Sequence, residues 1–416
     1  MHGDGTKLAI TTHKPAARLL DLTRLISRVG RVLTGVDRVE LAYLRYLVDH
    51  DTAVFGLVRT TLGYVLLDNG GMSALRDRFD GRAEWGSADL LSLSARRKTM
   101  PVRRAESDLR RLCLARALPS RLGRLLRKHL PQGCQYLNVG HSNLTDRSLW
   151  ALRHDLAAQI VVLVHDAIPL DYPQYQRPGT PEVFRAKLRR VQRFADHVIY
   201  NSAHTKNRAE HHMRHWGEPP HAVIAPLGVD VPQPDLDALP KGLDLDKPYF
   251  VTVGTIEPRK NHALLLDVWE ELAAGDPPQL FICGSRGWKN EEVFARLDAL
   301  PTDSPVKELP DLSDAAMAAL VKNARALIFP SEAEGYGLPP IEAAALGTPV
   351  ICLDLPVYRE TLGDIPVYLK ATDRYLLTDI VQSLSKGPKA EQNEISPGAF
   401  MPPSWDDHFR LALTFD

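Results

Sequence analysis

The stretch FPSEAEGYGLPPIEAAALGTPVI, residues 329–351, decides how the fold of this chain is interpreted. Apolar residues lie at both of its ends, and two glutamates, Glu334 and Glu342, stand eight positions apart around glycines and prolines. Pro at the start and Gly at the end are typical of a helix, here from Pro339 to Gly347. The stretch therefore predicts a buried strand, a glycine-rich turn and a short helix, with one carboxylate on each side of the turn.

Short apolar runs alternate with helical patterns along the rest of the chain. Continuous apolar strands that alternate with helices predict parallel sheets covered on both faces. The predicted strands are 17–22, 52–58, 63–68, 135–140, 160–166, 197–202, 222–229, 249–255, 279–285, 324–331, 348–353 and 365–369. The clearest helix follows Asn261, a residue type that favours the helix N-cap. The fold class is therefore α/β.

The length of 416 residues exceeds what one hydrophobic core normally supports, so two domains are expected. A segment rich in Pro and Asp, residues 230–248, is the best boundary. We predict an N-terminal domain over 1–236 and a C-terminal domain over 237–395. Residues 396–416 are expected to form a terminal helix that packs back toward the first domain.

Apolar residues make up 44% of the chain and charged residues 25%, an ordinary globular composition. The four cysteines are scattered, which indicates reduced thiols and no disulfide framework. The N-terminus lacks the apolar core of a signal peptide, and no run approaches the ~18 apolar residues of a membrane span. We expect a cytoplasmic protein, or one peripheral on the inner membrane.

Three further motifs follow predicted strands, where ligands bind in open parallel sheets. They are TGVDR (34–38), HDAIP (165–169) and GTIEPRKN (254–261). In the last of these, Arg259 and Lys260 precede a helix start, where free N–H groups and the helix dipole already favour an anion. The pair suits a diphosphate, although basic residues of a loop that simply faces water would give the same pattern.

These motifs together resemble the retaining GT-B glycosyltransferases of family 4. EGYGLPPIE resembles the E-x7-E signature of that family, and GTIEPRKN, GSRGW (284–288) and HDAIPLDYP (165–173) resemble its bacterial mannosyltransferase-like branch. The match is good over residues 135–370 and weaker over 1–50, and residues 70–130 match nothing in it. The resemblance implies two Rossmann-like, doubly wound domains that face each other across a cleft.

The resemblance also implies a role for each matched residue. Lys260 and Arg259 would neutralise the leaving diphosphate, Glu334 would contact the transferred sugar, and His165 would reach that sugar from the first domain. These four are the expected catalytic residues. The expected donor-binding residues are Gly35, Gly254, Thr255, Gly284, Tyr336, Gly337, Leu338 and Glu342. Among them, Glu342 would bind the ribose diol. Thr255 stands where many members have arginine, which leaves the cationic load to Arg259 and Lys260.

No metal and no cofactor are expected, because two cations and a helix end can stabilise the leaving group. D-x-D, a metal motif of another glycosyltransferase fold, occurs at Asp235–Asp237 and Asp244–Asp246. Both copies lie in the expected linker with no strand before them, so we interpret them as coincidental.

Residues 95–130 are strongly basic, with twelve Arg and Lys against two acids, while the whole chain has a net charge of zero. Within this segment, residues 118–130 place Leu122, Leu125, Leu126 and Leu130 on one helical face with arginines around it. The pattern fits an interfacial helix on the anionic inner membrane, or a helix that packs its leucines on the first domain. Nucleic acid is not expected as a partner, because no aromatic residue is present to stack on bases.

The expected function is transfer of a hexose, with retention, from a nucleoside diphosphate sugar to a growing bacterial surface polysaccharide or lipid-linked glycan. Mannose from GDP-mannose is favoured by the branch resemblance. Two alternatives stay open: a UDP-sugar donor with the same mechanism, and a catalytically idle protein that binds sugar nucleotide or glycan and docks on a membrane.

Overall fold

The structure, a computed structural model, describes residues 15–49, 53–386 and 400–414. These residues form two sheets that divide the chain in order. The first has eight strands in the order β4-β3-β2-β1-β5-β6-β7-β8, and the second has six in the order β11-β10-β9-β12-β13-β14. The predicted α/β class and the pair of parallel-sheet domains are confirmed.

The strands of the first sheet end at Ile224. They are β1 (Ala17–Asp21), β2 (Ala53–Thr60), β3 (Gly63–Leu67), β4 (Ala115–Ala117), β5 (Gln135–Asn138), β6 (Gln159–Val164), β7 (His197–Tyr200) and β8 (His221–Ile224). The helices of this domain are α1 (Thr23–Ser27), α2 (Gly35–Val48), α3 (Asn69–Phe79), α4 (Met100–Leu112), α5 (Leu122–His129), α6 (Asp146–Trp150), α7 (Ile168–Asp171), α8 (Thr180–Phe194) and α9 (Ala203–Met213).

The second domain begins at Tyr249. Its strands are β9 (Tyr249–Val253), β10 (Gln279–Cys283), β11 (Val306–Glu308), β12 (Ala326–Phe329), β13 (Val350–Leu353) and β14 (Val367–Leu369). Its helices, followed by the terminal helix, are α10 (His262–Leu272), α11 (Glu291–Asp298), α12 (Asp314–Asn323), α13 (Leu338–Ala345), α14 (Pro356–Leu362), α15 (Arg374–Ser385) and α16 (Trp405–Ala412). The strand pairs described in this sheet are parallel.

The outer edge of the first sheet is antiparallel, contrary to the prediction of purely parallel sheets. β3 pairs antiparallel with β2, and β4 pairs antiparallel with β3. The turn between β2 and β3 has only two residues, Thr61 and Leu62, which is too short for the crossover that a parallel pair needs. Gly63 follows with φ of +132°, which favours glycine.

The central strands are buried on both faces and largely apolar because helices cover both sides of each sheet. All five residues of β1 and of β10 are buried, for example. This burial explains why the strand prediction from continuous apolar runs succeeds for the central strands. The three-residue strands β4 and β11 are absent from the prediction, since too few of their residues are apolar to form such a run.

The chain crosses between the domains twice, and the two crossings touch. The first crossing lies between Ile224 and Tyr249, and the amide of Val229 donates a 3.0 Å hydrogen bond to the carbonyl of Pro403 in the returning segment. α16 then packs on the first domain, where Phe409 stacks on Tyr46 with ring centroids 3.8 Å apart.

The buried face of α16 carries one polar anchor. The ring of His408 lies 2.9 Å from the hydroxyl of Tyr43, and its other nitrogen approaches the carbonyls of Ala225 and Pro226 at 3.2 and 3.0 Å. Burial lowers the pKa of His408 to about 4, so the ring is neutral near pH 7. The helix is thus fixed both to α2 and to the start of the first crossing.

Across the described ranges, no helix combines the length and the apolar character needed to cross a membrane.

We predict that Phe409→Ala destabilises the protein by about 3–5 kcal/mol, as expected for an aromatic side chain removed from a packed site. Phe409 is buried, whereas Leu411 on the same helix is 38% exposed. Urea-induced unfolding of both alanine variants measures the difference. If Phe409→Ala costs no more than Leu411→Ala, α16 does not hold the first domain as described.

Candidate functional site

Two glycines bring the domains into close approach at the carboxyl ends of their strands. A Cβ on Gly335 would lie 2.3 Å from the carbonyl oxygen of His165, and one on Gly35 would lie 3.2 Å from Cδ1 of Leu338. Gly335 also accepts hydrogen bonds across the cleft from Ser202 and Thr205. TGVDR and HDAIP of the first domain therefore meet the EGYGLPPIE turn of the second.

A buried charge cluster lies at the centre of this contact. One oxygen of Glu334, Oε1, accepts hydrogen bonds from Arg259 at 2.5 Å and from Lys260 at 2.6 Å. Arg259 also pairs with Glu257 at 2.7 Å, and the Lys260 ammonium lies 4.2 Å from the ring centroid of Phe329. The expected catalytic residues Glu334, Arg259 and Lys260 are therefore in direct contact, and Arg259 and Lys260 do not simply face water.

Burial and neighbouring charges shift the pKa values of the side chains in this cluster in opposite directions. For Glu334, burial would raise the pKa, but attraction to Arg259 and Lys260 outweighs it and lowers the pKa. For Arg259, burial would lower the pKa, and Glu334 with Glu257 raises it. For Lys260, which is 8% exposed, burial is the largest cause and lowers the pKa despite Glu334.

Backbone geometry places Arg259 and Lys260 next to the predicted glycine positions. Gly254 ends β9 with φ of +136°, and a Cβ there would lie 3.3 Å from Nζ of Lys260. Gly284 packs on it so closely that its Cβ would lie 2.1 Å from the Gly254 carbonyl oxygen. Thr255 lies beside this contact, with its backbone nitrogen 3.3 Å from the same point.

Asn261 differs from the expectation of an ordinary N-cap. It adopts the left-handed region, with φ of +53° and ψ of +44°, between a 3₁₀ turn (Pro258–Lys260) and α10. Asparagine is one of the few residues that tolerate this region. The 3₁₀ turn directs Lys260 toward Glu334 before the helix starts, which strand and helix patterns alone do not reveal.

Glu342 contacts a residue that sequence reasoning did not single out, Arg38 of the first domain. Nη1 of Arg38 donates a 2.8 Å hydrogen bond to Oε1 of Glu342, and Nη2 donates a 2.6 Å bond to Asp314. Burial raises the pKa of Glu342, although Arg38 opposes the shift. This hydrogen bond joins residues 304 positions apart in the sequence. The only sequence feature that could have indicated it is the position of Arg38 inside the TGVDR motif.

His165 is buried at the end of β6 and faces its own domain. Its Nε2 lies 2.6 Å from the carbonyl oxygen of Val139, so Nε2 carries the hydrogen and donates it. Burial lowers the pKa of His165 to about 4, which keeps the imidazole neutral at pH 7. The ring packs edge-on to His141, with centroids 5.1 Å apart.

In the turn before α13, the backbone and the side chains make different contacts. Gly337 has φ of +88° and packs against the ring of Tyr358, where a Cβ would lie 2.6 Å from the ring. The hydroxyl of Tyr336 donates a 3.0 Å hydrogen bond to the carbonyl of Leu227 in the linker. The Tyr336 side chain therefore anchors the turn to the linker, which leaves its backbone as the part available to a donor.

The cleft is nearly closed beside the charge cluster. A cavity of ≈ 40 Å³ lies there between HDAIP and the Glu332–Glu334 segment. Ligand pockets for small molecules are typically about 300–1,000 Å³. Tyr175 also contacts Glu332 across the cleft, and the indole of Trp288 donates a 2.9 Å hydrogen bond to the Tyr175 carbonyl. The cavity beside the charge cluster is therefore smaller than a nucleotide sugar needs.

The two D-x-D copies form local turns. Asp235 and Asp244 each accept a hydrogen bond from the backbone nitrogen two residues on, at 3.0 and 3.3 Å. Within the part of the chain that the structure describes, no three His, Cys, Asp or Glu side chains are grouped so that they could hold a metal ion.

Two parallel-sheet domains that face each other at their strand ends define the GT-B fold. The crystal structure of Anabaena Alr3699/HepE in complex with UDP-glucose matches this chain with a TM-score of 0.61, at 14% identity over 95% of both chains. At that identity the likeness shows the fold.

Sequence comparison shows which known proteins this chain is similar to. Residues 237–394, which include most of the second domain, match the family described as "Glycosyl transferases group 1". The serotype-specific mannosyltransferase WbdA of Escherichia coli is 36% identical over 213 residues, which is 48% of this chain and 26% of that protein. O-antigen chain mannosyltransferase B of Escherichia coli is 30% identical over 139 residues, 33% of this chain and 36% of that one. The chain spans about a quarter of the length of the first curated relatives it matches.

We predict that Gly335→Ala forces the domains apart. The new methyl group would overlap the backbone of His165, which cannot rotate away as a flexible side chain could. Overpacking of this kind typically costs about 1–3 kcal/mol. Small-angle X-ray scattering should show a larger radius of gyration, and thermal unfolding a lower Tm.

The matched control is Gly275→Ala, where the nearest atom would lie 3.9 Å from the new methyl group. Equal behaviour of the two variants would contradict a tight contact between Gly335 and His165.

Proposed function

We propose that this protein is a retaining glycosyltransferase that moves a hexose from a nucleoside diphosphate sugar to a glycan acceptor. The observation that carries the proposal is the buried contact of Glu334 with Arg259 and Lys260, placed where the two domains of a GT-B fold meet. Preorganised cations at such a place are what a departing diphosphate requires.

In the proposed reaction, the bond between the anomeric carbon and the diphosphate oxygen breaks, and a bond to the acceptor oxygen forms on the same face. The leaving phosphate takes the proton of the acceptor hydroxyl. Arg259 and Lys260 stabilise the negative charge that develops on the leaving oxygen. Glu334 holds both cations at hydrogen-bond distance before the substrate arrives, so little reorganisation is needed during the reaction.

The remaining donor contacts are assigned around this centre. Glu342 accepts the ribose hydroxyls, the backbone from Gly337 to Leu338 approaches the phosphates, and Gly35 packs on Leu338 from the first domain. Arg38 holds one oxygen of Glu342, which leaves the second oxygen of that carboxylate for the ribose. His165, as a neutral ring at the strand end, is proposed to lie near the transferred sugar.

GDP-mannose is the favoured donor, because the curated relatives named above are mannosyltransferases. The competing donor is a UDP-sugar, which the complex of HepE with UDP-glucose favours.

The proposed acceptor is a growing surface polysaccharide or lipid-linked glycan. We also propose that catalysis needs no metal and that the protein acts in the cytoplasm. Nucleic acid is not proposed as a partner.

We predict that Lys260→Ala lowers kcat by roughly 10²–10³-fold, as expected when one preorganised charge is removed. Lys247→Ala, at an exposed position of the linker, serves as the control and should retain full turnover. The measurement is transfer from GDP-mannose to a soluble oligosaccharide acceptor, with EDTA present and absent. Near-normal turnover of Lys260→Ala would remove the residue from the mechanism, and complete loss with EDTA would reintroduce a metal.

We predict that one nucleotide among GDP, UDP, ADP and dTDP binds best in calorimetry, and that Glu342→Ala weakens it by about 10–100-fold. Such a loss is typical of hydrogen bonds to a charged group, worth about 1.5–3 kcal/mol. Glu292→Ala, an exposed acid on α11, is the matched control. Unchanged affinity in Glu342→Ala would move the ribose elsewhere, and no binding of any nucleotide would favour the catalytically idle glycan-binding protein.

A further inference from the structure

A groove at the outer edge of the first sheet combines exposed cations with exposed leucines. It has a volume of ≈ 580 Å³ and lies between the β2–β3 turn, β4 and α5. We call it the basic groove and define it by six of its lining residues: Leu62, Arg116, Leu118, Arg121, Arg124 and Lys128. All six belong to, or border, the part of the chain that matches no glycosyltransferase motif.

Of the two alternatives for residues 118–130, the structure agrees with the helix that packs its leucines on the first domain and not with the interfacial helix. Leu122, Leu125, Leu126 and Leu130 are buried in the core of the first domain, so α5 packs its leucines inward. Other leucines take the exposed positions instead: Leu118 is 59% exposed and Leu62 is 37% exposed. Leu90, on the neighbouring 3₁₀ helix, is 85% exposed. The apolar part of this surface therefore comes from loops rather than from one helical face.

Among the described residues, no carboxylate compensates four cations of the basic groove. Arg110 and Arg127 nearby pair with Asp89 and Asp155. By contrast, over residues 15–49, 53–386 and 400–414 no carboxylate lies within ion-pair distance of Arg116, Arg121, Arg124 or Lys128. Four exposed cations without partners create a strong positive potential around a partly apolar depression, which is complementary to an anionic amphiphile.

The position of the basic groove relates it to the cleft. Thr60, Tyr64 and Ala117 align at the carboxyl edge of the sheet, the same edge where β1, β5 and β6 end toward the cleft. A chain of hydrogen bonds links the two places. The Tyr64 hydroxyl donates to Asn143 at 2.9 Å, and Asn143 donates to Asp21 at 2.8 Å.

We propose that the basic groove docks the protein on an anionic lipid bilayer by binding a phospholipid head group, with Leu62 and Leu118 entering the interface. The inference deepens the proposed function, on which it rests in one respect: a lipid-linked acceptor would then arrive at the carboxyl edge of the first sheet. Bases of a nucleic acid would find little to stack on, because Tyr64 lines the groove but is buried.

The test measures binding of the full chain to phosphatidylcholine vesicles with and without about one-third phosphatidylglycerol. The charge variant is Arg116→Gln/Arg121→Gln/Arg124→Gln, and the apolar variant is Leu62→Ser/Leu118→Ser. The control, Arg185→Gln/Arg189→Gln/Arg193→Gln, removes the same charge from exposed positions of α8. We expect binding to the anionic vesicles alone, and a loss of roughly 100-fold in the partition coefficient for the charge variant but not for the control.

Several outcomes would overturn the proposal: no binding to anionic vesicles, equal binding to neutral ones, or an unaffected charge variant. Unchanged vesicle binding by the apolar variant would overturn the entry of Leu62 and Leu118 into the interface, and absence of binding to anionic vesicles would indicate a soluble anion, an acidic peptide or a nucleic acid instead. Calorimetric nucleotide binding, measured without vesicles, separates the two proposals. Vesicle binding without nucleotide binding defeats the glycosyltransferase assignment alone, and the reverse defeats the docking surface alone.

Discussion

The carboxylate of Glu334 determines how the rest of the cleft can be arranged. Two adjacent cations, the half-buried Arg259 and the buried Lys260, would repel each other strongly in a site of low dielectric if no anion lay between them. Glu334 supplies that anion through a single oxygen. The β9–α10 loop and the β12–α13 turn must therefore stay in register with each other, and the backbone bond from Glu332 to the Arg259 carbonyl at 2.8 Å maintains that register.

The same arrangement sets the electrostatic state of the ligand-free protein. Arg259 and Lys260 are not free charges that wait for a phosphate, because each already has a carboxylate partner. A bound diphosphate would add negative charge to a cluster that is close to neutral. In the proposed mechanism, the negative charge that develops on the leaving oxygen is thus stabilised by cations held rigidly in place. Glu334 lowers the affinity for the diphosphate in the ground state.

Sequence patterns predict much of the fold and part of the candidate site. Buried central strands such as β1 and β10 are visible because parallel strands are apolar on both faces. Proximity of Gly35 to Leu338 follows from motifs at the ends of parallel strands. The antiparallel β3–β4 edge escapes prediction, because a three-residue strand has no pattern of its own. The sequence leaves the inward packing of Leu122 and Leu126 as one of two alternatives, since an amphipathic helix has the same sequence whether it faces a core or a membrane.

Contacts between distant segments are the other part that sequence reasoning misses. The bond from Arg38 to Glu342 depends on how closely two separately folded sheets approach, and no local pattern encodes that distance. The left-handed conformation of Asn261 is similar: an asparagine before a helix predicts a cap, while the preceding 3₁₀ turn, which positions Lys260, imposes a different geometry.

The two crossings between the domains have a consequence for motion. A chain that crossed once would leave its domains free to twist and slide about a single flexible point. Here Val229 of the outgoing segment donates a hydrogen bond to Pro403, which follows the return, and α16 packs on the first domain. Two adjacent tethers define an axis. We therefore expect a hinge rotation of the two domains about that axis. Opening of the cleft would move Gly335 away from His165, and closure would restore the same contact.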